Sequence, residues 1–421
     1  MTKSAKAYKI SNQFRVLNQY IKYLLSGGKI MTDLKQEVKE LFGQVVEWRR
    51  HFHQHAELSF EEFQTSDYIE ARLKEFDGIE IKRPTKTGVV GIIEGALPGP
   101  TIALRCDIDA LPMTETNDLP FVSENKGAMH SCGHDGHAAI LLGTAKLFSE
   151  RKAQLHGKLI CIFQHAEELP PGGAIELVKA GVMEGVDEIF GLHLSSNYPT
   201  GKYGFVNGAL TSATDGFDIK VIGKGGHSSM PEQCIDPVIT AAQIVLALQN
   251  IRARKISTYD KAVISVCTIH GGDAYNIIPG EVKISGSVRT FSKEVRAEVE
   301  KQIKQISNGI AAANGAECEV SYDKGYDSVV NNEQLTDEAR EAVRDWFGED
   351  AVLEILPVMP GEDFSAFTEA GNCPGCFVEI GTRNEEKGTT RPHHNPAYLM
   401  DEDGLYYGLA LFASVLEKKM L

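Results

Sequence analysis

No apolar run in this sequence approaches the ~20 residues that a bilayer-spanning helix needs, so a conventional transmembrane helix is excluded. There is no basic excess either. Lys and Arg number 43 against 58 Asp and Glu, a net charge of −15 that argues against nucleic-acid binding. A disulfide frame is also missing. Eight cysteines are scattered over 421 residues, the usage of reduced thiols in a cytoplasmic protein. CPGC at 373–376 lacks the partner motifs of a redox site and reads as a turn before the strand CFVEIG. There is no internal repeat and no low-complexity stretch.

What is present is an ordinary globular composition, 42% hydrophobic and 24% charged, in a chain long enough for two domains. Residues 1–30 carry Lys3, Lys6, Lys9, Arg15, Lys22 and Lys29 and no acid. That is the look of a transit peptide or of an over-long start. Met31 opens a conventional helix, and Gly27-Gly28 suits an encoded ribosome-binding stretch, so the expected start is Met31.

Leu34, Val38, Leu41, Val45 and Trp48 recur at helical spacing and predict an amphipathic helix over 34–54. A second helix is expected at about 62–76 and another over 137–152. The apolar runs VVGIIEG, TIALRC, KLICIFQ, EIFGLHL and CFVEIG suit buried strands. Their alternation with helices predicts an α/β fold with a mostly parallel sheet and helices on both faces. Residues 216–329 instead follow the order β-α-β-β-α-β of a ferredoxin-like unit, inserted between 31–215 and 330–421.

The chemistry gathers in four segments, at strand ends and in loops. Cys132 and His134 lie in MHSCGHDGHAA, Glu167 and Glu168 in FQHAEEL, His193 in FGLHL, and His393-His394 in RPHHNPAY. Thiolate, imidazole and carboxylate bind zinc-like ions, and a cysteine excludes a dedicated calcium or magnesium cage. Two carboxylates ending an apolar strand are expensive unless they are used. One can hold a metal while its neighbour moves a proton, which points to metal-assisted hydrolysis. Taken singly, Cys132 reads as a small buried hydrophobe, His193 as a core histidine, and His393 or His394 as surface residues. Asp107, Glu167-Glu168 and His193 follow the carboxyl ends of their strands, where α/β sheets bind ligands, and the density of His130, Asp135 and His137 around Cys132 and His134 weakens the bland reading there.

These motifs resemble the amidohydrolases of metallopeptidase family twenty, subfamily D. That group includes hippurate hydrolases, N-acyl-amino-acid deacylases, auxin-conjugate hydrolases and related carboxypeptidases. The resemblance is carried in order by RRHFHQHAELSFEE, RCDIDALPM, MHSCGHDGHAA, FQHAEE, GLHL, GKGGHSSMP, NIIP, VRTF, PGEDFSAF and HHNPAY. It implies two divalent ions (zinc, manganese, nickel or cobalt) held by Cys132, His134, Glu168, His193 and His394. It implies Glu167 as general base and Asp107 as an acid that orients a ligand. Arg105 stands where the broader family has a histidine, so the broader ligand scheme is not copied. His227 would polarise the scissile carbonyl, and in dimeric relatives it comes from the partner subunit. Asn276 and Arg289 would anchor substrate, an arginine matching a carboxylate through paired donors.

The resulting expectation is a cytoplasmic, homodimeric hydrolase of N-acyl amino acids that dimerises through the inserted domain. The alternatives are a dipeptidase or carboxypeptidase of the same fold, a thiol hydrolase using Cys132, and a metal- or ligand-binding relative without catalysis.

Overall fold

The computed structural model describes residues 33–421. The basic stretch over 1–30 and the expected start at Met31 lie outside the described residues. Among the described residues, no helix is long and apolar enough to cross a membrane.

The chain divides into two compact units. The larger takes the residues up to Asn207, then Asn331–Ile355 and Ala366–Leu421; the smaller takes Gly208–Val330 and Leu356–Ser365.

In the larger unit the chain runs α1 (Leu34–Gln54), α2 (Phe63–Lys74), β1 (Ile79–Lys82), β2 (Val89–Glu94), β3 (Leu97–Asp107), α3 (His134–Ser149), β4 (His156–Gln164), α4 (Gly173–Lys179), β5 (Glu188–Pro199) and β6 (Tyr203–Phe205). Helix α1 buries the predicted stripe of Leu34, Val38, Leu41, Val45 and Trp48, and adds Phe52. Each such side chain contributes about 1.5–3 kcal/mol by leaving water. Asp33 caps the helix, accepting from the Lys35 amide at 3.2 Å.

In the smaller unit follow β7 (Ala213–Ile222), β8 (Gly226–His227), α5 (Pro237–Arg254), β9 (Ala262–His270), β10 (Ile277–Ile278), β11 (Glu281–Thr290), α6 (Lys293–Ala313) and β12 (Glu317–Lys324). The larger unit then resumes with α7 (Glu333–Phe347), β13 (Val352–Glu354), β14 (Gly375–Arg383) and α8 (Asp403–Met420).

The eight strands of the large sheet lie in the order β1-β2-β4-β3-β5-β14-β6-β13. Its centre is parallel, with β4, β3, β5 and β14 running together, while β1-β2, β2-β4 and β14-β6 are antiparallel. The sheet is therefore mixed, with the parallel part confined mainly to its middle. The reason is legible in burial. All six residues from Ile102 to Asp107 are buried, whereas β1 alternates half-buried and exposed positions, as an edge strand does.

In the smaller unit, β9-β11-β7-β12 form an antiparallel sheet. With β7 as the first strand, this is the order of a ferredoxin-like unit, as the element sequence predicts. Phe217, Ile219, Val221, Ile244, Leu248, Val282, Ile284, Val299 and Ile303 fill its core. A separate two-stranded ribbon pairs β8 with β10.

Several boundaries differ from the sequence reading. The smaller unit takes Gly208–Val330 and Leu356–Ser365 where 216–329 was expected. Helix α3 starts at His134, so His134 and His137 belong to its first turn. Strand β5 continues to Pro199, so His193 lies inside it rather than at its end, opposite Glu379 of β14.

Candidate metal centre

The centre is assembled at the carboxyl ends of β3 and β4, inside β5, and at the start of α3. Gly133, with φ +99°, occupies the left-handed backbone region that turns the chain into α3. A Cβ on Gly136 would meet Leu194 Cδ1 at 2.4 Å, so α3 packs against β5 with only hydrogen between them. That approach sets the His134 and His193 rings edge to face, 6.2 Å apart between centroids. After β4, Ala166 adopts a left-handed φ of 49° without being glycine, a strained turn that delivers Glu167 and Glu168. His394 is likewise left-handed at φ 58°, and its amide donates to the Ser131 carbonyl at 3.0 Å.

Ligand-type atoms converge in overlapping triads, each within 4.8 Å: Cys132, His134 and His193; Cys132, Glu168 and His394; His134, Glu167 and Glu168. Cys132 Sγ lies 3.5 Å from His193 Nε2, and His394 Nε2 lies 3.2 Å from Glu168 Oε1. All five residues expected as ligands are thus brought together, with Glu167 beside them.

The hydrogen bonds fix which nitrogen of each ring is available. His134 donates through Nδ1 to the Asp109 carbonyl at 2.9 Å, with the Asp109 carboxylate at 3.2 Å. His193 donates through Nδ1 to the Leu194 carbonyl at 2.9 Å. Both Nε2 lone pairs then face the cluster.

Among the described residues, His134 Nε2 is buried without a hydrogen-bond partner, and Glu168 Oε1 has only His394 Nε2 beside it, at 3.2 Å. Such atoms are costly unless something polar meets them, and a divalent cation is the partner this donor set suits. The field agrees. Burial pushes His134 down, but the carboxylates of Asp107 and Asp109 overcome it and raise the imidazole to about 10. A site that retains a proton so firmly is a site for positive charge. Burial, with Glu168 and Glu167 nearby, holds the Cys132 thiol well above its ordinary value. A nucleophilic cysteine needs the opposite shift, whereas a bound cation would deprotonate the thiol outright. The upward shift weighs against a thiol-hydrolase use of Cys132.

Asp107 does not touch His134 Nδ1. Its Oδ1 accepts from His137 Nδ1 at 2.6 Å and its Oδ2 from Arg105 at 2.8 Å, while His134 Nε2 stands 3.7 Å away. His137 Nε2 accepts from the Leu194 amide at 2.9 Å, so both its nitrogens are engaged. The acid that orients His134 is Asp109, which also accepts from the Glu168 amide at 3.0 Å and from Ser59 at 2.7 Å. Sequence reasoning passed over Asp109, His137 and the role of His393. The alternation Arg105, Asp107, Asp109 in RCDIDAL was the available signal.

In the smaller unit, His227 and Asn276 are brought together on the β8–β10 ribbon, where the Ser228 amide donates to the Asn276 carbonyl at 3.1 Å. His227 is exposed, and its Nδ1 accepts from the Ser229 amide at 3.2 Å, which leaves the proton on Nε2. Arg289 lies apart from the ribbon, in β11 of the four-stranded sheet, half-buried and donating to the Val288 carbonyl at 2.9 Å.

Comparison with known proteins gives a consistent picture. The family described as peptidase family M20/M25/M40 matches residues 103–418. An N-acyl-L-amino acid amidohydrolase of Geobacillus stearothermophilus is 46% identical over 72% of this chain and 82% of its own. A thermostable carboxypeptidase of Saccharolobus solfataricus is 41% identical over 90% of this chain and 96% of its own. The crystal structure of a dinuclear metal binding peptidase from the M20 family of Bacillus subtilis is similar at a TM-score of 0.80 and 37% identity, covering 90% of this chain and 98% of that one.

Proposed function

The chain belongs to peptidase family M20/M25/M40, and on that premise we propose that it is a metal-dependent amidohydrolase that removes the acyl group from N-acyl amino acids. It is a hydrolase of C–N amide bonds. The observation that carries the reading is the convergence of thiol, imidazole and carboxylate atoms with Glu167 beside them.

Cys132, His134, Glu168, His193 and His394 would hold two divalent ions, and zinc, manganese, nickel or cobalt suits the donors. When bound, such ions supply Lewis-acid polarisation of the carbonyl and activation of water. Glu167 accepts the proton of the attacking water and passes it to the departing amine nitrogen as the C–N bond breaks. Asp109 holds the His134 ring, and Asp107 accepts from His137 and Arg105. His227, protonated on Nε2, donates to the developing oxyanion. Asn276 and Arg289 anchor the substrate, Arg289 through its carboxylate.

A homodimer through the smaller unit belongs to the same proposal, with the inserted domain at residues 216–329 and His227 acting across subunits. In its support, β9 is an outer strand of the four-stranded sheet and exposes Val263 and Ile269, with Ile239 and Leu246 exposed on α5. A cytoplasmic setting is also proposed, on thiols scattered without a pairing frame.

The test combines elemental analysis of the purified protein with hydrolysis of hippurate, N-acetyl amino acids, N-acetyl-diaminopimelate and dipeptides. The expected result is activity on N-acyl amino acids that a chelator abolishes and divalent ions restore. Preference for dipeptides would move the reading to a peptidase, which the carboxypeptidase relative favours. No hydrolysis with the sites fully loaded would make it a binding protein.

A further inference from the structure

We infer that His393 is a positioning residue: a hydrogen-bond donor, locked in one tautomer, that sets the donor strength of the Cys132 sulfur. The inference rests on Cys132 being a metal ligand, as proposed above. The two neighbouring histidines of RPHHNPAY have different jobs. His394 presents Nε2 to Glu168 at 3.2 Å. His393 has both nitrogens engaged. The backbone amide of Ser196 donates to its Nε2 at 3.2 Å, and an amide N–H can only donate. Nε2 is therefore the unprotonated nitrogen and Nδ1 carries the hydrogen. Nδ1 lies 3.7 Å from Cys132 Sγ, within reach of an N–H···S bond.

The ring is also held in place. It stacks on His193 at 5.1 Å and 24°, and meets Tyr398 edge to face at 4.9 Å. His193 points its bare Nε2 at the same sulfur from 3.5 Å. Cys132 thus stands between one ring that offers it a lone pair and one that offers it a proton. The second contact stabilises charge on sulfur and lowers its lone-pair energy, the means by which hydrogen bonds tune metal–thiolate centres. Without it, sulfur would be a stronger, more easily oxidised donor. Ser196, two residues beyond Leu194 on β5, fixes the tautomer without touching the centre itself.

Cobalt gives the readout, because the sulfur-to-cobalt charge-transfer band reports the sulfur lone-pair energy directly. The full chain is stripped with a chelator and reloaded with cobalt(II), with occupancy set by elemental analysis. His393→Phe keeps a ring against His193 and removes the donor. His393→Asn keeps an amide N–H near the position of Nδ1. The Phe variant is expected to shift the band to longer wavelength, as a sulfur freed of its hydrogen-bond donor requires. The Asn variant is expected to keep its band near that of the wild type. Identical bands in wild type and His393→Phe at full occupancy would overturn the proposal. If the Phe variant does not fold, His393→Leu replaces it, since it is neutral and offers no N–H. A shift relative to Asn then supports the role, and coincident bands refute it. A wild-type cobalt protein with no sulfur band at all would instead remove Cys132 from the ligands, and the proposal with it.

Discussion

His134 and Asp109 are joined twice, since the imidazole Nδ1 meets both the carbonyl and the carboxylate of the same residue, at 2.9 and 3.2 Å. One aspartate therefore fixes both the tautomer and the plane of the ring. Its other carboxylate oxygen holds the Glu168 amide at 3.0 Å, so two proposed ligands share one anchor.

Asp109→Ala should weaken both at once. Divalent-ion affinity is expected to fall about 10–100-fold, the usual cost of losing a group behind a metal-ligating histidine. Equilibrium dialysis against zinc or manganese reads it. Turnover per bound ion should change much less, and an unchanged affinity would deny Asp109 this role.

Glu167→Gln removes the proton carrier while keeping size and polarity. Turnover is expected to fall by about 10²–10⁴ with the ions still bound, because only proton transfer is lost. Elemental analysis and steady-state kinetics on one preparation separate the two effects. Near-normal turnover at full occupancy would assign the proton to another group.

How much of this was legible in the sequence depended on the kind of signal. Glu167 and Glu168 stood out because two carboxylates are expensive at the end of an apolar strand, whereas the full set of Cys132, His134, Glu168, His193 and His394 came from the order of motifs that resembles the family. Helix α1 was readable because its period and its burial coincide. The length of β5 was not, since SSNYP after His193 carries no apolar run, and the strand continues there by pairing with β14. Asp109 was hidden beside Asp107. Both belong to one alternating run, and only three-dimensional register shows which carboxylate meets which histidine. The partners of His393 are a backbone amide and a sulfur distant in sequence, contacts that no local pattern encodes.

If His227 serves the centre of the opposite subunit, two inactive variants should complement each other. His227→Ala and Glu167→Gln proteins, unfolded and refolded together, would form mixed dimers in which one centre combines intact Glu167 with intact His227. Activity is expected to return in the mixture and in neither parent. Mixed dimers isolated through different affinity tags and still inactive would exclude the trans arrangement.

Glu62 supplies a test of stability that leaves the metal ligands untouched. Burial, reinforced by the nearby Asp109 charge, raises its carboxyl to about 7. In the folded state it accepts from the Phe60 amide at 3.0 Å, the Ala166 amide at 2.8 Å and Thr87 Oγ1 at 2.8 Å. The folded protein therefore binds this proton more tightly than the unfolded chain does. Its contribution is fully present below the ordinary value of 4.5 and is lost as pH rises through about 7. Glu62→Gln stays neutral throughout. Its carbonyl can still accept from both amides, while its NH₂ group donates to Thr87 as that hydroxyl turns. The variant should therefore gain stability relative to the wild type between pH 5 and pH 8, on the order of 2–3 kcal/mol for a shift of this size. Urea denaturation at the two pH values measures the difference. A gap between variant and wild type that does not change with pH would show that the carboxyl titrates normally.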